Sequence, residues 1–207
     1  MSTVYQPFGL KPAFHPSGLD RAVPFVGTNT FVPGTTYSAP YSLSTGQSFW
    51  QFQPVAITSS GQLTIANQTA SSGKVYGVFD GVEFTDSQGR RSVAKWISKA
   101  ALDASTQIVF WIFSDPALVY EIQAAGSVAN TAIGKDFNFS ATTNYTTADG
   151  TTVGTSGGAG FSTTALNPTA VSAGTQGQVK CVGLGREVAY PTGELNAWGD
   201  TNTIVQV

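Results

Sequence analysis

Very few residues in this chain could carry out chemistry. His15 is its single histidine and Cys181 its single cysteine. A Ser–His–Asp or Cys–His site needs an imidazole as its base. His15 lies between Phe14 and Pro16, which reads as a packed or exposed residue of an extended segment. Cys181 alternates with Val179, so its thiol belongs on an apolar face, where free cysteine acts as a small hydrophobe. Carboxylate pairs of the kind that cleave glycosides would have to come from Asp80 with Glu83, Asp115 with Glu121, or Glu187 with Glu194. None of these pairs sits in a diagnostic local motif.

Other candidate motifs are incomplete. Asp149-Gly150 and Asp200 do not make a calcium loop, which needs several acids at alternate positions. Gly134-Lys135 lacks both the upstream glycine and the following Ser or Thr of a phosphate loop. Asn67-Gln68-Thr69, Asn138-Phe139-Ser140 and Asn144-Tyr145-Thr146 fit the glycosylation sequon, but no secretory signal precedes them. No cofactor, metal ion or small-molecule substrate is therefore expected. Four tryptophans could line a sugar platform. Trp50, Trp96 and Trp111 fall inside strand patterns, where core or interface packing is the default, whereas Trp198 in Asn196-Ala197-Trp198-Gly199-Asp200 lies in a turn-like segment open to an exposed or docking role.

The elements that would position these residues read as β. Residues 107–123 hold two apolar, β-branched and aromatic runs around Ser114-Asp115-Pro116, a sequence suited to a tight turn. The segment reads as a hairpin, with Asp115 in the turn and Glu121 on the solvent face. Phe49–Ile57 alternates, with Pro54 hinting at an edge or bulge. Leu63–Ala66 is a short strand, and Lys74–Phe84 a longer one whose Gly77 and Gly81 suggest bulges or close backbone approach. Asp86-Ser87-Gln88-Gly89 turns into Arg91–Ile97, and Ser98–Ser105 makes a helical turn or a loop. Gln178–Val188 and Thr203–Val207 complete the strands. Residues 140–165, rich in Thr, Ser and Gly, read as a surface loop or weak hairpin at Ala148-Asp149-Gly150. The first 40 residues hold Pro7, Pro12, Pro16, Pro24, Pro33 and Pro40 among spaced aromatics, a pattern that excludes long helices and central strands.

The expectation is an all-β fold, a β-sandwich or barrel of jelly-roll-like or β-tulip-like form. An extended N-terminal arm would span 1–48 and the β domain 49–207. Charged residues are only 11% of the chain, with net charge −2 and pI near 5.2. No basic field exists to hold nucleic acid, and no apolar run is long enough for a membrane span. So weakly charged a surface offers little repulsion against association.

Several segments, taken in order, resemble the head decoration (capsid cement) proteins of tailed bacteriophages: PFGLKP (7–12), Val78–Phe84 with the Gly89 turn, VFWIFSDPALVYEIQAAG (109–126), NTAIGKDFNF (130–139), STTALNPTAV (162–171), VKCVGLGREV (179–188) and the closing NAWGDTNTIVQV. The resemblance implies a non-enzymatic virion protein. It would be made in the host cytoplasm, bind the outer surface of the head, commonly as a homo-trimer, and clamp neighbouring major capsid protein subunits. Tyr5, Phe8, Phe14, Phe25, Phe31, Tyr37 and Trp198 would then be capsid or subunit contacts. Two other readings compete with it. One is a carbohydrate-binding or host-attachment module using Trp198 and the 140–165 loop. The other is a small β-fold hydrolase using a carboxylate pair.

Overall fold

A computed structural model describes residues 5, 7–18, 21–26, 39–66, 74–140, 145–146, 152–153, 162–173, 175–186 and 195–207. The first nine strands are β1 (Lys11–Phe14), β2 (Val23–Phe25), β3 (Ser48–Trp50), β4 (Gln53–Ile57), β5 (Leu63–Ile65), β6 (Gly77–Thr85), β7 (Arg91–Ala94), β8 (Trp96–Ser98) and β9 (Thr106–Phe113). They are followed by β10 (Val119–Gln123), β11 (Asp136–Phe137), β12 (Tyr145–Thr146), β13 (Thr152–Val153), β14 (Val179–Lys180), β15 (Gly183–Leu184) and β16 (Ile204–Gln206). A single helical turn, α1 (Lys99–Asp103), is capped by the Ser98 hydroxyl, which accepts from the Ala101 N–H. The fold is all-β, with antiparallel sheets arranged as a sandwich.

The larger sheet runs β2-β9-β6-β4-β5, with β7 beside β4 on the same edge of β6. The second sheet runs β1-β10-β16-β15. Successive side chains of a strand point to opposite faces, and β6 uses both. Phe79 enters an aromatic core with Phe49, Phe110, Ile108 and Ile112, while Val78 enters a second core with Leu10, Ile122, Phe137, Phe139 and Val205. In the aromatic core Phe49 stacks on Phe79 at 5.5 Å and meets Phe110 edge-on at 5.3 Å. The second core is walled largely by short strands and irregular segments, including 124–140, 162–173 and 175–181.

Several local expectations are met. The β6–β7 hairpin turns at Asp86, whose Oδ1 accepts the Gln88 and Arg90 N–H groups. The ladder between β6 and β9 shifts register between Phe79 and Gly81. Gly77 is required because any side chain there would collide with the Phe113 carbonyl. β12 and β13 pair as the weak hairpin expected within 140–165. Its apex, Ala148-Asp149-Gly150, lies outside the described residues.

Three expectations are corrected. The 107–123 segment is not a hairpin: β9 pairs with β2 and β6, whereas β10 pairs with β1 and β16. The Asp115 turn forms, with Oδ1 accepting the Ala117 N–H, and the chain passes through buried Leu118 from one sheet into the other. Phe49–Ile57 is not continuous either. It breaks at Phe52, where φ is +65°, and the Gln53 side-chain oxygen bridges the kink by accepting the Trp50 N–H. Within 178–188, β14 and β15 join different sheets. The opening segment is partly built into the domain, since Leu10 is buried in the second core and β1 and β2 are edge strands of the two sheets.

Candidate functional site

The sequence-derived contact residues are dispersed. Phe14 is 60% exposed at the end of β1. Phe25 is half-buried on β2, its ring 5.9 Å from that of Tyr76. Tyr5 and Phe8 are also half-buried. Phe31 and Tyr37 lie outside the described residues. Trp198 is not a free platform: it is half-buried and packs against the second core.

The segment around Trp198 is held by polar side chains acting as backbone. Buried Asn196 donates from Nδ2 to the carbonyls of Gly185 (2.9 Å) and Ile204 (2.6 Å), and its Oδ1 accepts the Ile204 N–H at 2.9 Å. One amide thus satisfies three main-chain groups beside β16, as a neighbouring strand would. Asp200 accepts the Ala197 N–H at 2.9 Å, and the Thr203 hydroxyl donates to the Asp200 carbonyl while accepting the Val128 N–H. Composition shows these as turn residues only, so pattern reading had no signal for the knot they tie.

Several of the candidates for chemistry within the described residues are held by neighbours. His15 Nδ1 accepts the Ser17 N–H at 3.1 Å, and Nε2 lies 3.1 Å from Asp115 Oδ2. The Asp115 carboxyl is held below the usual range, first by the Ala117 N–H and then by His15. Asp80 binds Lys95 and Gln51, and Glu83 binds Arg91. Glu187 and Glu194 lie outside the described residues. The Cys181 thiol is buried in the second core, and burial pushes its pKa up, away from the reactive thiolate. Among the described residues no group of His, Cys, Asp and Glu could hold a metal ion, and no helix is long and apolar enough to cross a membrane.

Two surface features escaped the sequence reading. β3 and β8 pair with Phe49 opposite Ile97 and Trp50 opposite Trp96. Phe49 and Ile97 fill the aromatic core, so the next pair must face outward. The two indoles stack 5.0 Å apart, nearly parallel at 13°, and Trp96 remains 49% exposed. The second feature is a groove over β1, β10 and β16, with Glu121 in it. The alternation of Tyr120-Glu121-Ile122-Gln123 had placed Glu121 in solvent. Instead it is 6% exposed, because the chain at Arg186 crosses over it and donates its N–H to Glu121 Oε1 at 2.8 Å. Comparison of the chain with protein-family models, curated proteins and solved structures finds no match.

Proposed function

We propose that the protein is a non-enzymatic structural component of a virus particle. In this reading it decorates the outer surface of a bacteriophage head, as a homo-trimer, and stabilises contacts between major capsid protein subunits. The observation that carries this reading is the outward-facing Trp50–Trp96 stack on so weakly charged a domain. A flat aromatic surface, rigidly backed by a second ring, is the type of residue that dominates protein interfaces. Val93, three residues before Trp96, is 72% exposed, and Phe14 adds a further exposed ring. Each contact contributes modestly, but repetition over a symmetric lattice multiplies the effect.

The test mixes purified protein with expanded, undecorated phage heads, followed by sedimentation and thermal denaturation of the heads. Co-sedimentation and a higher head melting temperature are expected, with binding reduced about tenfold or more in Trp96→Ala. Absence of both co-sedimentation and thermal gain overturns the reading. Sedimentation equilibrium of the free protein checks the trimer.

A further inference from the structure

The groove beside Glu121 has the composition of a binding site. Its volume is about 420 Å³, within the roughly 300–1,000 Å³ of small-molecule pockets. The ladder registers build it. Lys11 stands opposite Glu121 on β1 and β10, Glu121 opposite Gln206 on β10 and β16, and Gln206 opposite Gly183 on β15. Directly paired residues share a face of the sheet. The row therefore runs cation, carboxylate, amide and then a residue with no side chain, which leaves space at its end. Phe14, 60% exposed, and Val182, 50% exposed, also line the groove, as does Arg186.

Glu121 is only half used. Its Oε1 accepts both the Arg186 N–H at 2.8 Å and Gln206 Nε2 at 3.4 Å. Among the described residues Oε2 has no donor, although the side chain is nine-tenths buried and lines the groove. That oxygen keeps contact with the open groove, so a donor on a ligand can reach it.

The charges select the kind of donor. A cationic ligand would meet Arg186 beside the carboxylate, and an anionic one would meet the carboxylate itself. An uncharged ligand carrying adjacent hydroxyls suits both, donating to Glu121 Oε2 while accepting from Arg186 or Gln206. Its apolar face would lie against the Phe14 ring and Val182. We infer that this groove binds a neutral pyranose ring of a glycan. The site is separate from Trp198, and the inference does not rest on the capsid reading.

Saturation-transfer NMR and calorimetry on the full chain test it, with maltotriose, lactose and chitotriose as probes, and glucosamine and glucuronate as charged controls. At least one neutral saccharide is expected to bind through its ring protons. Glu121→Gln turns the open acceptor into a donor, and Phe14→Ala removes the exposed ring; each is expected to weaken binding about tenfold or more. Trp96→Ala is expected to leave it unchanged. Phe14→Ala alters an exposed side chain, so its amide NMR spectrum should stay that of the folded protein and keep the result interpretable. The inference is overturned if no neutral saccharide binds at millimolar concentration, if only the charged sugars bind, or if binding survives both groove substitutions.

Discussion

The two faces of β6 look onto cores made by different means. On the Phe79 face, strands of regular alternation supply large rings, and the main-chain groups are satisfied by ladders. On the Val78 face, much of the wall is irregular, and side chains such as Asn196, Thr203 and Asp200 supply the bonds that a sheet would otherwise make. Stability in the first core comes mainly from burial and shape. In the second it depends also on a few polar groups, each with several partners, so that one lost side chain leaves several backbone groups unpaired.

The largest effect should come from Phe79→Ala. It empties the centre of the aromatic stack and should lower unfolding free energy by about 3–5 kcal/mol, measured by denaturant titration. Asn196→Ala should follow at about 2 kcal/mol, since the Gly185 carbonyl and the Ile204 N–H lose their side-chain partner while the Ile204 carbonyl keeps the Gly185 N–H. A loss under about 1 kcal/mol would show that water replaces the amide readily and that the contrast between the cores is false. Ser98→Ala removes an ordinary helix cap on the aromatic side and should cost about 1 kcal/mol.

Acid gives a smaller test. Asp115 has a folded-state pKa below its ordinary value of about 4. Its contribution is therefore fully present above that value and is lost as pH falls through the lower, folded value. Denaturation midpoints measured from pH 5 to pH 2 should fall less steeply in Asp115→Asn than in the parent. Equal slopes would mean that the turn and the His15 contact do not stabilise the junction between the sheets. The smallest effect is expected for Phe14→Ala, within about 0.5 kcal/mol, because the ring is largely exposed.

The contrast between the cores also explains what could be read from the residues alone. The strand expected over 74–84, the apolar run that begins at 107 and the Asp86–Gly89 turn are local signals, and each appears close to where it is expected. The Asp115 turn was equally local, but a turn does not specify which sheet receives the strand after it. The strand after it takes its partners at positions 11 and 206. The Phe52 kink carried no glycine to announce it. Glu121 was misplaced because alternation tells which face a side chain takes, not what later crosses that face. The strand pattern around Trp96 fits core or interface packing alike. Its exposure follows only from the pairing of Phe49 with Ile97.

The placement of β1 and β2 has a consequence for how the chain reaches its native state. Lys11 pairs with Glu121 and Val23 with Ile112, so both opening strands must wait until more than half the polypeptide has been synthesised. Such distant pairings slow folding, and until they form, β9 and β10 each lack a neighbour. A ribosome-bound chain stopped before residue 110 would hold its proline-rich beginning unpaired. Those prolines remove backbone donors that a stray strand could otherwise capture, so they help the opening segment stay available until its partners emerge.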